Sequence, residues 1–383
     1  MYPPAVQLLI SSQFDSGNIE VIDATDPADV QLRIRPDPPT STPRGVVRFF
    51  QWFHFRVAGA RGVPLTLRIM NAGEAAYPDA WEGYQAVAST DREHWLRVNT
   101  TYEDGVLTIE HTPQGDAVWF AYFAPFALDR HADLIGWCAE SDFARLAPLG
   151  TTLDGRSLDR LVVGSGPAVA WVIARQHPGE SMASWWMEGF LTRLLDPDDA
   201  LAAKLRGLAT LHIVPHMNPD GSFRGHLRTN AAGANLNREW ATPSAERSPE
   251  VLLTREAMDE TGVDVCLDVH GDEELPYNFI AGAEGIPGWT AAQARDLARF
   301  LDDYERSNPD FQQVHGYPID PPGTANLTIC TTQIAERFGC LSVTLEMPFK
   351  DNANRPDPDA GWSPERCRQL GASIIEPLVQ AIA

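Results

Sequence analysis

The feature that most constrains the fold is an alternation of mainly apolar runs with longer helical patterns, which begins near Ala127. Continuous apolar runs are typical of strands that are buried on both faces of a sheet. The alternation therefore predicts an α/β domain with a mixed, largely parallel central sheet. The predicted strands are 161–166, 168–175, 209–215, 263–269, 278–282 and 341–347, and the predicted helices are 181–195, 197–206, 248–261, 290–306, 328–338 and 363–382. Helix 248–261 has recognisable ends, with Ser248 as N-cap, Pro249 at the first helical position and Gly262 after the last turn.

The part of the chain before Ala127 has a different pattern. Short aromatic and β-branched segments, such as 46–59, are separated by Gly, Pro, Asp and Asn. This pattern predicts an all-β antiparallel sandwich or barrel, with the Pro- and Arg-rich stretch from Arg35 to Arg44 as an exposed loop. A chain of 383 residues is long enough for two domains. We expect the sandwich at residues 1–126 and the α/β domain at residues 127–383.

Charge and cysteine usage limit the partners and the compartment. The net charge of −22 argues against a nucleic-acid partner and against an anionic membrane surface. The five cysteines are scattered and never spaced as C-x-x-C, which fits reduced thiols in a cytoplasmic protein. No basic segment precedes the first apolar run, so no secretory signal is expected. No stretch approaches the roughly 20 apolar residues that a membrane span needs.

Polar residues follow three of the predicted strands. His177 and Glu180 follow strand 168–175, His270 follows strand 263–269, and Glu346 lies at the end of strand 341–347. Ligands of α/β sheets bind outside the carboxyl ends of strands, and catalytic zinc takes three His or carboxylate ligands. Each residue also has a structural interpretation, as a hydrogen-bonded histidine at the rim or as an ion-pair partner. The coincidence at three strand ends favours a zinc metallohydrolase.

A further loop follows strand 209–215 and carries two arginines. Arg228 and Arg238 lie in a Gly- and Asn-rich segment without an acidic partner in local register. The arginine side chain matches a carboxylate with two parallel hydrogen bonds. An exopeptidase that acts at a C-terminus needs such a group, because the free carboxylate distinguishes its substrate from an internal peptide.

With these motifs the sequence resembles the zinc carboxypeptidase family, and within it the cytosolic carboxypeptidase subfamily with its bacterial members. The resemblance covers most of the chain, including the predicted sandwich. The matching motifs are His177-Pro178-Gly179-Glu180, Asn218-Pro219-Asp220-Gly221, Asn237-Arg238-Glu239-Trp240, Asp268-Val269-His270, Thr344 to Phe349 and, upstream, Trp52 to Phe55 and Phe120 to Phe126.

The resemblance implies one zinc ion per chain and a role for each site residue. His177, Glu180 and His270 would hold the zinc. Glu346 would be the general base, and Arg228 would polarise the scissile carbonyl. Asn237 and Arg238 would hold the terminal carboxylate of a peptide or protein substrate. From the position of Asp268 on its strand we expect its side chain on the same side as His270, where it could orient a ligand.

The resemblance leaves the substrate side chain open. Family members close a tyrosine over the substrate, for which Tyr317 is the candidate and Tyr277 the alternative. Many animal relatives remove glutamate, and glutamate is therefore one candidate here. The basic residue expected after a Gly-Thr pair is missing, since Ala325 and Asn326 follow Gly323-Thr324. Arg337 and Lys350 are possible substitutes, although an exposed charge is the alternative for both.

Two other functions compete with a carboxypeptidase. One is a zinc amidohydrolase that deacylates a small N-acyl amino acid, because such substrates also carry a carboxylate. The other is a catalytically inactive peptide-binding module, which would require the loss of a ligand or of the base. The sequence retains all of these residues and leaves open the oligomeric state and the role of the sandwich.

Overall fold

The computed structural model describes residues 8–42 and 45–383. Two five-stranded sheets build the N-terminal domain, and β4 and β5 form a separate two-stranded ribbon. The strand orders are β1-β6-β12-β8-β9 and β10-β11-β7-β3-β2. These strands are β1 (Leu9–Ser11), β2 (Glu20–Asp23), β3 (Val30–Arg33), β4 (Thr40–Thr42), β5 (Gly45–Val47), β6 (His54–Ala58), β7 (Leu65–Ile69), β8 (Val87–Ser89), β9 (Leu96–Arg97), β10 (Thr100–Glu103), β11 (Val106–His111) and β12 (Ala117–Ala121).

The side chains of this domain alternate as expected for a sandwich. In β7, Leu65, Leu67 and Ile69 are buried, while the residues between them are partly exposed. This period of two places one face of each sheet in a common core. The predicted antiparallel sandwich is confirmed, although the β3–β7 pair runs parallel.

The C-terminal domain has a seven-stranded mixed sheet with helices around it. The order is β13-β16-β18-β17-β19-β21-β20. Within it, the neighbouring strands β18, β17, β19 and β21 run parallel to one another. The elements are α1 (Leu128–Ala139), β13 (Ala144–Leu146), β14 (Gly150–Thr151), β15 (Ser157–Leu158), β16 (Leu161–Val163), β17 (Ala168–Ala174), α2 (Met182–Leu194), α3 (Ala200–Leu208), β18 (Ala209–Val214), α4 (Pro219–Arg224), α5 (Pro249–Thr261), β19 (Val265–Val269), β20 (Phe279–Ala281), α6 (Ala291–Ser307), α7 (Cys330–Phe338), β21 (Leu341–Glu346), α8 (Pro364–Ser373) and α9 (Ile375–Ile382). The α/β prediction is therefore confirmed, and the carboxyl ends of β17, β18, β19 and β21 meet at one rim.

One local prediction needs correction. The helix predicted at 363–382 is two helices, α8 and α9, which meet at Ile374. Pro377 explains the break, because it has no N–H to donate to the carbonyl of residue 373. The Asn218-Pro219-Asp220-Gly221 motif begins α4, and Asn218 caps this helix by accepting a hydrogen bond from the Gly221 N–H at 3.0 Å.

The stretch from Arg35 to Arg44 was predicted to be an exposed loop, and this is wrong for its centre. Asp37 and Thr40 are only 1% and 3% exposed. Across the domain interface, Asp37 accepts a hydrogen bond from the Leu227 N–H and Thr40 donates one to the Gly233 carbonyl. Arg44 lies outside the described residues.

The domain boundary between residues 126 and 127 stays a prediction. In the described part of the chain, no helix is long and apolar enough to cross a membrane.

Candidate active site

Three predicted ligands converge at the rim. His177 and Glu180 lie in the turn after β17, and His270 follows β19 directly. Glu180 contacts both histidines, with Oε1 at 2.6 Å from His177 Nδ1 and Oε2 at 2.8 Å from His270 Nδ1. One nitrogen or oxygen from each residue lies within 4.8 Å of the others, and all three side chains are buried. This group could hold a metal ion.

The outer nitrogens of both histidines are engaged elsewhere. His177 Nε2–H donates to Asn235 Oδ1 at 3.0 Å, and His270 Nε2 lies 2.9 Å from Asp268 Oδ2. Gln176 Nε2 donates to the same Asp268 oxygen at 2.6 Å. Each histidine therefore directs Nδ1 toward the common centre, as expected when a second hydrogen bond fixes the ring of a metal ligand. The expected position of Asp268 beside His270 is confirmed.

The electrostatics also fit a cation at this centre. Burial lowers the pKa of His177 to about 3, so its imidazole is neutral and can offer a lone pair. Burial opposes a charge on His270, but Asp268 and Glu180 outweigh it and raise the pKa of His270 well above its usual value. The same two carboxylates would favour a metal ion. Two imidazoles, one carboxylate and no thiolate form a ligand set suited to catalytic zinc, the set that carboxypeptidase A exemplifies.

Arg175 supports the turn between the first two ligands, and the sequence prediction missed it. Its Nε donates to the Pro178 carbonyl at 3.1 Å, and its Nη1 donates to Phe126 at 2.8 Å and to Ser184 at 3.1 Å. The backbone of Arg175 has φ 60°, which is unusual for a residue other than glycine. The fully buried guanidinium therefore connects the metal-ligand turn to the end of the sandwich domain.

Glu346 lies beside the metal-ligand group. It is the last residue of β21 and follows Leu345, whose carbonyl accepts a hydrogen bond from the His270 N–H at 2.8 Å. The Glu346 side chain is 7% exposed, and its Oε2 has no hydrogen-bond partner among the described residues. Burial raises the pKa of Glu346 well above its usual value. A carboxylate oxygen without a partner, next to the metal-ligand group, is available for a water molecule or a substrate.

Arg228, Asn237 and Arg238 line the same cavity as the metal-ligand group. Asn237 Oδ1 accepts a hydrogen bond from the Cys330 N–H at 2.8 Å, and its Nδ2 lies 3.5 Å from His270 Nε2. Burial lowers the pKa of Arg238 to about 10, so it is still a cation at neutral pH. Two cations and one amide donor thus face the cavity.

The two candidate tyrosines differ in position. Tyr317 lines the cavity, is 46% exposed, and donates its hydroxyl to Asp272 Oδ2 at 2.5 Å. Tyr277 stacks on His315 at 4.0 Å and is not part of the cavity wall. The structure therefore brings Tyr317, and not Tyr277, to the candidate site.

The cavity has a volume of about 440 Å³ and a wall rich in carboxylates. Among the described residues, the only cationic side chains in its wall are Arg228 and Arg238. Arg337 instead pairs with Asp259, and Lys350 donates to the Glu82 carbonyl. The acidic side chains in the wall, besides Glu180 and Glu346, are Asp272, Glu273, Glu274, Glu284 and Asp320.

This fold and this site define a metallocarboxypeptidase, a hydrolase of peptides. Residues 138–275 match the family model of zinc carboxypeptidases, and residues 10–123 match that of the cytosolic carboxypeptidase N-terminal domain. The chain belongs to the zinc carboxypeptidase family and carries the N-terminal domain of its cytosolic members.

Similar proteins support this assignment along the whole chain. The crystal structure of a metallo-carboxypeptidase from Burkholderia cenocepacia is 45% identical, with a TM-score of 0.94 over 98% of this chain and 99% of that one. A metallo-carboxypeptidase from Pseudomonas aeruginosa, solved in complex with (2-guanidinoethylmercapto)succinic acid, is 46% identical, with a TM-score of 0.93 over 97% and 98% of the two chains. Cytosolic carboxypeptidase 6 from Caenorhabditis elegans is 24% identical over 91% of this chain and 81% of its own length.

Proposed function

We propose that this metallocarboxypeptidase removes the C-terminal residue of a peptide or protein, with one zinc ion held by His177, Glu180 and His270. The observation that carries the proposal is the free carboxylate oxygen of Glu346 beside this group, in a cavity that also contains Arg238. The cavity thus combines a base with a group that can recognise a carboxylate. The cytoplasmic location expected from the cysteines belongs to the same proposal.

Each side chain has a distinct task. Zinc, when bound, supplies a Lewis acid that lowers the pKa of a water molecule to roughly 7 in favourable sites. Glu346 accepts the proton from the attacking water and passes it to the leaving amine. Arg228 donates hydrogen bonds to the carbonyl oxygen as negative charge develops there. Asn237 and Arg238 bind the terminal carboxylate, and Tyr317 covers the bound residue.

The two alternative functions are less well supported. A small N-acyl amino acid would also offer a carboxylate to Arg238, but the matched family and its N-terminal domain are those of carboxypeptidases. An inactive binding module would be expected to lack a ligand or the base. The three candidate ligands His177, Glu180 and His270 and the candidate base Glu346 are all present and buried.

The charges of the cavity favour a cationic substrate side chain over glutamate. Glu284 and Asp320 line the cavity, and Arg228 and Arg238 have other tasks in the proposal. The backbone makes room for both carboxylates at glycines: a Cβ at Gly282 would lie 2.4 Å from Glu284 Oε2, and one at Gly285 would lie 2.4 Å from Asp320 Cβ. A guanidinium or ammonium group would be attracted here, and a glutamate would be repelled. The guanidino compound bound by the Pseudomonas relative is consistent with this preference.

The activity is tested with a peptide library that varies the last residue. We expect release of single C-terminal residues, loss of activity on chelation, and recovery on addition of zinc. Peptides with an amidated C-terminus should resist cleavage. Chelator-insensitive cleavage, or no release from any peptide, would contradict the proposed function.

The side-chain preference is tested separately with three peptides that end in Lys, Glu or Leu. We expect the highest kcat/KM for Lys and the lowest for Glu. Glu284→Gln should lower kcat/KM for the Lys peptide about 10-fold, because one charge pair is lost. The kcat/KM for the Leu peptide should stay unchanged. A wild-type enzyme that prefers Glu would refute the cationic preference without affecting the carboxypeptidase proposal.

A further inference from the structure

Asp37 of the sandwich domain contacts the loop that carries Arg228. The carboxylate is buried and accepts four hydrogen bonds from three consecutive residues of the catalytic domain. Oδ1 accepts from the Leu227 N–H at 2.8 Å. Oδ2 accepts from the Arg228 N–H at 2.8 Å and from the N–H and hydroxyl of Thr229 at 2.9 and 3.1 Å.

These hydrogen bonds replace the ones that a helix or strand would provide. Residues 227–229 belong to no helix or strand, and Leu227 and Thr229 are buried. Buried N–H groups need an acceptor, and Asp37 supplies it to all three residues. The Leu227 carbonyl in turn accepts a hydrogen bond from the Gly179 N–H at 2.9 Å. The loop therefore joins Asp37 to the turn between the two metal-ligand residues His177 and Glu180.

The sandwich domain also contacts the Arg228 side chain. Its guanidinium carbon lies 5.6 Å from the ring centre of Phe49 and 5.9 Å from that of Tyr77. Within the described ranges, no carboxylate forms a salt bridge with Arg228. Gln51 holds Tyr77 in place, because its side-chain amide pairs with both the N–H and the carbonyl of Tyr77 at 2.9 and 3.0 Å. Both the backbone and the guanidinium of Arg228 are thus supported by residues of the other domain.

We propose that Asp37 is a positioning residue that holds Arg228 in its active geometry, so that the sandwich domain completes the active site. The proposal rests on the role of Arg228 in the proposed function. A displacement of about 1 Å can cost on the order of 100-fold in rate when a reacting geometry is disturbed. Asp37 thus acts on the reaction through Arg228, without touching the substrate.

The test replaces Asp37 by an amide of the same shape. In Asp37→Asn, the NH₂ group must face N–H donors at one of the two oxygen positions, so at least one hydrogen bond is lost. We expect kcat to fall by about 10- to 100-fold, with a small change in KM and an unchanged zinc content. Thr40→Val is the matched control, because it removes a hydrogen bond from the same segment to the Gly233 carbonyl at 2.9 Å. This control should keep the wild-type kcat.

A double-mutant cycle separates positioning from a general structural effect. Arg228→Ala alone should lower kcat by about 10²–10³-fold, as for the loss of an oxyanion donor. Asp37→Asn should then have no further effect on kcat in the Arg228→Ala background, because coupled residues do not act additively. An equal loss of kcat in both backgrounds would overturn the proposal.

Amide hydrogen exchange gives a readout that does not depend on activity. We expect exchange at residues 227–229 to be at least about 10-fold faster in Asp37→Asn and unchanged in Thr40→Val. If Asp37→Asn does not fold, Thr229→Val removes one of the four hydrogen bonds, and a smaller loss of kcat is expected only when Arg228 is present. An inactive wild type would contradict the proposed function, whereas unchanged exchange in Asp37→Asn would contradict the role of Asp37.

Discussion

Asp268 Oδ2 lies 2.9 Å from His270 Nε2, and both side chains are almost completely buried. Because this contact orients His270 and increases its basicity, Asp268→Asn should weaken zinc binding by about 10- to 100-fold. Competition with a chelator of known affinity measures the change. Asp220→Asn is the control, since Asp220 is equally buried but pairs with Thr152 and Arg156. Equal zinc affinity of Asp268→Asn and wild type would show that the contact does not tune the metal site.

Glu346→Gln should abolish turnover without loss of zinc. The amide keeps the size of the side chain but cannot accept a proton, so we expect kcat to fall by at least about 10²-fold, a typical contribution of a general base. Zinc content and the unfolding temperature should stay near the wild-type values. Near-normal activity of this variant would assign the base to another group.

Arg238→Ala should mainly raise KM. The guanidinium would bind the terminal carboxylate in the ground state as well as in the transition state, so its loss affects both equally. A hydrogen bond between charged groups contributes about 1.5–3 kcal/mol, which corresponds to a roughly 10- to 150-fold higher KM. Steady-state kinetics on one peptide compare this variant with Arg228→Ala, which should lower kcat instead. A KM effect in Arg228→Ala and a kcat effect in Arg238→Ala would mean that the two roles are exchanged.

Glu250 gives the chain a pH-dependent stability that is independent of the metal site. Burial raises the pKa of Glu250 to about 7, although Asn230 donates a hydrogen bond to it. The folded state therefore retains a proton that the unfolded chain loses near its ordinary pKa of 4.5. Stability from this group is complete below pH 4.5 and falls as the pH rises to about 7.

Glu250→Gln should remove the loss of stability at high pH, because the amide keeps the shape of the side chain but does not ionise. We expect the variant to exceed wild type in unfolding free energy by up to about 3 kcal/mol at pH 8.5. At pH 4 the two should be nearly equal. Urea denaturation at both pH values measures the difference, and Glu256→Gln, on the exposed side of the same helix, serves as the control. A gain that is the same at both pH values would exclude ionisation as its cause.

The convergence of His177, Glu180 and His270 could be predicted from the sequence because each of them follows a local pattern. A continuous apolar run marks a buried parallel strand, and the next polar residues must then lie at the rim of the sheet. This reasoning located His177, His270 and Glu346 without information on distant contacts. The predicted strand ends agree with the observed ones to within three residues, so the inferred rim was the correct one.

Residues that act across the domain interface have no such pattern. Asp37 and Arg228 are separated by 191 positions, and the segment around Asp37 has the composition of an exposed loop. Arg175 adopts a positive φ that its residue type does not predict. Its position next to the His177-Pro178-Gly179-Glu180 turn was the only hint of a supporting role. The docking of two domains determines these contacts, and periodicity within one segment does not report on docking.

The interface around Asp37 also has a consequence for the order of events during biosynthesis. The sandwich precedes the catalytic domain in the chain, and domains generally fold from the N-terminus as they leave the ribosome. A folded sandwich would present the Asp37 carboxylate and the Tyr77 ring before residues 227–229 are translated. The loop of Arg228 can then acquire its conformation on a surface that already exists. A catalytic domain expressed alone would lack this template, and we expect adding the separate sandwich domain during its refolding to restore activity.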